Sequence, residues 1–322
     1  MNKSKPFTST PCRYDNGMQG GTIMSVRLGI NPLTWTNDDM PSLGADTPLD
    51  VCLTEGREAG FTGFELGNKF PRTPDALSKV LGEHDLSLVS GWYSSQLLER
   101  SPEEEIEAVK DHLDLLKQCG AQVMVFCEVT HCVHGDQSYP LSQRPHLSEA
   151  EWQRLTEGLN IVGDYLREQG VHMAYHHHLG TVVESQADVE RLMDSTRDSV
   201  GLLLDLGHLV GAGGDPLVIA QHYASRIKHV HCKDIRFPVL EDVRNRDKSF
   251  LDGVLDGLFT VPGDGNVEFL PTLKHLSEAG YQGWLVVEAE QDPEVAHPLT
   301  YARMGYRNLR LLAEQAGFTV VE

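Results

Sequence analysis

"SPEEEIEAVKDHLDLLKQCGAQVMVFCE", residues 101–128, reads as one helix followed by one strand, and its recurrence along the chain decides the fold. Ser101 before Pro102 is a helix start: a hydroxyl at the N-cap, then a residue with no amide to satisfy at N1. A helical pattern runs from there to Gly120, where a left-handed cap costs least. "QVMVFCE" then reads as a short apolar strand ending in a carboxylate.

The same alternation extends in both directions. Eight strand-like runs occur: "VRLGI" near residue 26, "FTGFEL" near 61, "LSLVSGW" near 86, "QVMVFCE" near 122, "VHMAYHH" near 171, "VGLLLD" near 200, "IKHVHCKD" near 227 and "GWLVVEAE" near 283. Helical patterns fill the gaps, among them residues 47–60, 101–120, 148–170 and 267–280. Thr47 with Pro48, and Ser148 with Glu151 three residues on, mark further starts; Gly60, Gly170 and Gly280 mark further ends. Eight βα units in a chain of this size predict an α/β fold of the (β/α)8 TIM-barrel type, one domain over residues 25–322. Residues 1–24 are polar, Gly-rich and non-periodic and read as a disordered extension or a mis-chosen start. Two segments, 128–147 and 234–262, read as neither strand nor helix and are expected to stand over the active face as lids or as substrate or subunit contacts, which leaves room for a homo-oligomer.

Composition excludes some functions. The chain has 322 residues, 40% of them hydrophobic, with 27 Lys plus Arg against 47 Asp plus Glu, a formal net charge of -20. A polyanion would meet long-range repulsion, so nucleic acid is not an expected partner. No apolar run is long enough to cross a bilayer, so no membrane partner is expected either. The six cysteines are scattered without a CxxC pair and read as reduced thiols of a cytoplasmic protein. "GAGGD" at 211–215 lacks the spacing of a dinucleotide-binding loop.

In a barrel, polar residues at strand C-termini converge. The fifth run ends in His176, His177 and His178 and leads to Glu184; the sixth ends in Asp205; the seventh carries His229, His231 and Lys233; the eighth ends in Glu288 and Glu290. Buried carboxylates after "GLLL" and "WLVV" would carry several kcal/mol of desolvation cost unless a cation or donors met them. Carboxylates mixed with imidazoles suit one divalent cation. Because His229 alternates with His231, only one of the pair is expected inside, and His231 is chosen for its place at the rim. His176 and His178 share one side of their strand and His177 faces the other. His176 or His178 can ligate, hold hydroxyls or move protons. Glu184 is a metal ligand if the "LGTVV" turn folds back, or else the start of the next helix. Glu65 and Glu128 are further acid-base candidates, Trp35 and Trp92 candidate floors for a ring, and Lys233 either polarises a substrate oxygen or pairs with Asp234 or Glu65.

The motifs "DLGH" (205–208), "HVHCKD" (229–234), "VPGDGNVEF" (261–269) and "VVEAE" (286–290) resemble those of the xylose isomerase-like superfamily of sugar isomerases and epimerases. With "YHHHLGTVVES", "GINPLTWTNDDMPSLG" (29–44) and "FELGNKFP" (64–71), the resemblance narrows to its inosose dehydratase family. It covers residues 25–318. It implies a TIM barrel holding a divalent metal, Mn²⁺ or Co²⁺, and removal of water from 2-keto-myo-inositol, a polyol ketone, to give a trihydroxycyclohexane-1,2-dione in inositol catabolism. Glutathione is a further cofactor that it implies. The superfamily's metal pattern carries onto Asp205, His231 and Glu288; many relatives have a glutamate where this chain has His176, so the fourth ligand is Glu184 or a histidine. The resulting assignment is Glu184, Asp205, His231 and Glu288 on the metal, with His176, His178, Lys233 and Glu65 in catalysis. A metal-dependent isomerase or epimerase on the same barrel is the alternative.

Overall fold

The structure, a computed structural model, describes residues 24–322, so the extension expected over residues 1–24 lies, Met24 apart, outside the described residues. Eight parallel strands follow one another in chain order around a closed sheet: β1 (Ser25–Ile30), β2 (Gly63–Leu66), β3 (Ser87–Ser95), β4 (Val123–Glu128), β5 (His172–His176), β6 (Val200–Asp205), β7 (Ile227–His231) and β10 (Gly283–Val287). Closure is by β10 on β1, with Val26 opposite Gly283 and Ile30 opposite Val287. The expected (β/α)8 barrel is therefore the fold. A short antiparallel pair, β8 (Asp234–Ile235) and β9 (Phe259–Thr260), stands outside the barrel, and β11 (Thr319–Val320) lies along β1.

The helices are α1 (Leu49–Ala59), α2 (Pro74–Gly82), α3 (Pro102–Gln118), α4 (Glu149–Glu168), α5 (Gln186–Asp194), α6 (Leu206–Gly211), α7 (Pro216–Tyr223), α8 (Phe237–Asn245), α9 (Phe250–Leu255), α10 (Phe269–Glu278) and α11 (Pro298–Gln315). Ser101 and Ser148 each close a capping box, with Glu104 and Glu151. Gly60, Gly120, Gly170 and Gly280 all adopt positive φ just past their helices. One start differs. The cap position of α1 is Pro48, without a side-chain bond, because Thr47 belongs to the preceding turn and its carbonyl accepts from Lys69 Nζ at 2.6 Å.

Segment 234–262 is not irregular, as the sequence suggested: it holds β8, α8, α9 and β9. Elements of two to nine residues span too few turns to display a period. They are held instead by a small core of their own, in which Leu240, Phe250, Leu251, Val254, Leu258 and Phe259 pack with Leu179. Segment 128–147 is tied to this unit by the amide of Leu141 on the carbonyl of Lys248 at 3.0 Å and by a bridge from Pro140 to Ser249.

Most of the apolar core lies between barrel and helices. Inside the barrel, Val125, Ala174 and Leu203 form a separate buried layer. At the N-terminal end Trp284 lies across β2: a Cβ on Gly63 would come within 2.6 Å of its ring and 2.7 Å of Val89. Going the other way, two residues beyond Ala174 and Leu203 stand His176 and Asp205. Strand period two keeps them on the inner face, so the apolar layer is the floor of a polar site at the C-terminal mouth.

Candidate metal centre

Asp205 ends β6 and caps α6, and its two oxygens divide the work. Oδ1 accepts from the amide of His208 at 2.8 Å, while Oδ2 is buried and accepts no hydrogen bond. Around that second oxygen stand His231 Nδ1 at 3.4 Å and His176 Nε2 at 3.6 Å. His231 Nδ1 is also 2.8 Å from Glu288 Oε2 and 3.2 Å from His176 Nε2. Neighbouring ligands of a cation with bonds of about 2.1 Å lie about 3.0 Å apart in an octahedron and about 3.4 Å apart in a tetrahedron. Buried donor atoms from β5, β6, β7 and the residue after β10 thus stand at separations close to those of one divalent-cation shell, a group that could hold such a cation. His208 also reaches the group formed by His176, Asp205 and Glu288. Its nitrogens are otherwise engaged, Nδ1 by the amide of Leu179 at 3.3 Å and Nε2 by Lys233 at 3.0 Å, so His231 is the better fourth donor.

Glu65, from β2, supports this set. It receives Asn31 Nδ2 at 2.7 Å, the Ser90 hydroxyl at 2.6 Å, His229 Nε2 at 2.8 Å and His231 Nε2 at 3.1 Å. Burial opposes its charge, but the His231 and His229 imidazoles hold it well below the usual carboxylate range. The Nε2 proton of His231 is thereby assigned to Glu65, and Nδ1 turns to the other carboxylates. A carboxylate with this many donors is a support for other groups more than a free base.

Several expectations change, two of them at the cluster itself. His229 and His231 both point inside and both meet Glu65, because residues two apart on a strand share a face; only an odd offset would have separated them. Glu184 is not brought to the four-atom cluster. Its carboxylate accepts from the amide of Gly180 at 2.7 Å and faces Arg144 at 3.4 Å, since residues 178–183 close a turn on themselves through His178 N–H to Val183 O at 3.1 Å. It leads into the Ser185 capping box of α5. His176 Nε2 stands in the cluster instead.

Behind the cluster Lys233 is fully buried and bonds Glu288 Oε1 at 2.7 Å, Glu290 Oε2 at 3.0 Å and His208. Burial works against its charge, yet Glu288 and Glu290 hold the ammonium above its ordinary value. Glu288 is pushed down to about 2: burial raises it, but His231 and Lys233 outweigh that. Burial raises Glu290 to about 7, Lys233 notwithstanding. The pairings proposed for Lys233 from sequence, Asp234 and Glu65, are replaced by these, because Asp234 turns away to the amides of Gly263, Gly265 and Val267 at 2.8–3.0 Å.

A cavity of about 280 Å³ opens above the cluster, lined by Asp38, Asp39, Arg72, Trp92, His178 and Glu290 together with the inner faces of Glu65, His231 and Glu288. His178 donates from Nδ1 to the carbonyl of Leu179 at 2.7 Å, which leaves Nε2 as an acceptor, and burial with the neighbouring His134 and His176 keeps the imidazole well below its usual pKa. His176 and His178 stand 5.4 and 6.0 Å from the Trp92 ring, so both face the site, while His177 turns outward to accept from the amide of Asp205 at 3.2 Å. Trp35 is packing: it lies against Phe64 and donates to Glu55. Glu128 is taken up by Ser95, Leu97 and Thr130. Asn31, Ser90, Asp38, Asp39 and His134 were not anticipated. Asn31 alone carried a signal, as the first polar residue after a strand, like Glu288.

The family profile described as xylose isomerase-like TIM barrel matches residues 53–312. The rhizopine catabolism protein MocC of Rhizobium meliloti is 50% identical over 92% of this chain and 91% of its own length. Inosose dehydratase 2 of Bacillus cereus (strain ZK / E33L) is 45% identical over 91% of this chain and 98% of its own. A crystal structure of the protein IolI with a bound zinc atom superposes with a TM-score of 0.66 at 18% identity, covering 90% of this chain and 99% of that one, a likeness of fold.

Proposed function

The chain belongs to the xylose isomerase-like TIM-barrel family, and we infer that it works there as a hydro-lyase, an inosose dehydratase of inositol catabolism. The observation that carries this reading is 45% identity to an inosose dehydratase over 91% of the chain, a span that includes every residue of the four-donor cluster. The reaction removes one water from 2-keto-myo-inositol and leaves 3D-3,5/4-trihydroxycyclohexane-1,2-dione.

His176, Asp205, His231 and Glu288 are the proposed ligands of the cation. When bound, a divalent cation supplies Lewis acidity at the ketone, where negative charge develops as the α-proton leaves. The mixed imidazole and carboxylate set suits Mn²⁺ or Co²⁺, the metals that the resemblance implies. His178 is the proposed base, with a neutral imidazole, a free Nε2 and a wall of the cavity. Glu290, raised to about 7 and lining the same cavity, is the proposed donor of the proton that departs with hydroxide. Lys233, whose ammonium has three buried partners, balances the charge of Glu288 and, once its proton has been given up, that of Glu290. Asp38, Asp39 and Arg72 are placed to meet the hydroxyls of a polyol. Glutathione rests on the resemblance alone and enters the assay as an added component.

The test is chelator-stripped protein given back Mn²⁺, Co²⁺, Mg²⁺ or Zn²⁺, with and without glutathione, and followed for dione absorbance from 2-keto-myo-inositol. Metal-restored absorbance is the expected result. A new sugar peak without the dione would replace dehydration by isomerase or epimerase chemistry. Because MocC is named for rhizopine catabolism, an intermediate of rhizopine breakdown is the second substrate to assay.

A further inference from the structure

A second cavity lies at the opposite end of the barrel. It encloses about 750 Å³ at the N-terminal mouth. Asp and Glu account for 47 of the 322 residues, yet among the described residues none lines this cavity; its ionisable groups include Arg27, His172 and Lys228, and Ser87, Gln122 and Gln282 add neutral polar groups. In a chain of net charge -20, a mouth whose described lining holds no carboxylate is a local reversal of sign.

The cationic groups are placed. The Arg27 guanidinium lies over the Trp284 ring at 4.1 Å from its centroid, and Nη2 donates to Ser87 Oγ at 2.9 Å, while Nε is buried without a partner. Trp284 is seated against the backbone of Gly29 and Gly63, where a Cβ would come within 3.3 and 2.6 Å of its ring. Lys228 is tethered by Nζ to the carbonyl of Ser225 at 2.9 Å. Burial, and after it the charges of Lys228 and Arg167, press the His172 imidazole below its ordinary pKa. Helix C-termini also ring this mouth, and their carbonyls would oppose an anion. Some of them are closed by capping amides, as in Gly120 N–H to Lys117 O and Gly280 N–H to Ser277 O, both 3.1 Å.

We propose that the N-terminal mouth is an anion-binding site, separate from the metal centre, that takes a small dianion carrying a phosphate group or two carboxylates between Arg27 and Lys228. A stacked guanidinium offers a fixed donor fork to one end of such a ligand, and the ammonium a mobile charge to the other.

Isothermal titration of the full chain with inorganic phosphate and, separately, with succinate tests this at low ionic strength. The expected result is one saturable site per chain whose Kd rises at least tenfold in Arg27→Gln and in Lys228→Gln, with turnover of Lys228→Gln unchanged in the absence of the anion. Tighter phosphate binding assigns the site to phosphate esters, and tighter succinate binding to dicarboxylates. Absence of saturable binding of both anions, or binding that both variants retain within twofold, overturns the proposal.

Discussion

Glu65 Oε1 lies 3.1 Å from His231 Nε2, so His231 meets Asp205 and Glu288 through its other nitrogen. An outer carboxylate of this kind fixes the tautomer and orientation of a ligating imidazole, and its loss typically costs about 10–100-fold in metal affinity. Glu65→Gln is expected to fold, to weaken Mn²⁺ or Co²⁺ binding by about that factor and to lose turnover in parallel, as measured by competition with a chromophoric chelator. Unchanged affinity would leave Glu65 without this supporting role.

Asp205 separates two functions on two oxygens, and two substitutions separate them in turn. Asn at this position still offers one oxygen to the amide of His208 and keeps the cap, so Asp205→Asn should remain folded while binding no metal at stoichiometric concentration. Asp205→Ala should add a cap loss of about 1 kcal/mol in urea denaturation. Glu184→Gln, by contrast, should leave metal affinity within twofold. A larger loss would restore Glu184 to the ligand set.

Lys233 holds two buried carboxylates of like charge. Lys233→Met should destabilise the fold by about 3–5 kcal/mol at pH 8, the cost of stranding buried charge. The deficit should shrink as pH falls towards 7, because without the ammonium Glu290 takes up a proton above its present value of about 7, and should level off below 7, where the parent protonates it too. A deficit independent of pH would show that packing, and not charge, is what Lys233 provides.

Burial lowers His177 from its ordinary 6.5 to about 3. Above pH 6.5 neither the folded nor the unfolded chain protonates it, and its contribution is complete. Between pH 6.5 and about 3 only the unfolded chain gains the proton, so stability falls by about 1.4 kcal/mol per pH unit for this one group. Urea midpoints from pH 7 to 5 should therefore decline less steeply in His177→Gln than in the parent. Equal slopes would mean that the acid sensitivity comes from other groups.

The barrel was legible because its signals are local: capping boxes at Ser101 and Ser148, positive-φ glycines after the helices, and eight apolar runs at regular intervals. The inward set at the strand ends was legible for a related reason, since period two puts His176 above Ala174 and Asp205 above Leu203. Misapplying that period removed His229 from the inner face, although the same rule, followed through, keeps it there. The unit at 234–262 escaped because its helices are too short to show a repeat and are stabilised by contacts with Leu179, far away in the chain.

Residue order alone therefore determined the (β/α)8 architecture and the strand ends that bear carboxylates and imidazoles, because both follow from short-range periodicity and capping chemistry. Which of those groups meet was decided only by the closed barrel. Sheet register sets Asp205 beside His231, and barrel closure brings Glu65 across to both histidines of β7. The turn after His178 carries Glu184 to Arg144 instead of to the cluster. Distances between groups more than a hundred residues apart depend on how the whole sheet curves and closes, and no local pattern encodes that curvature.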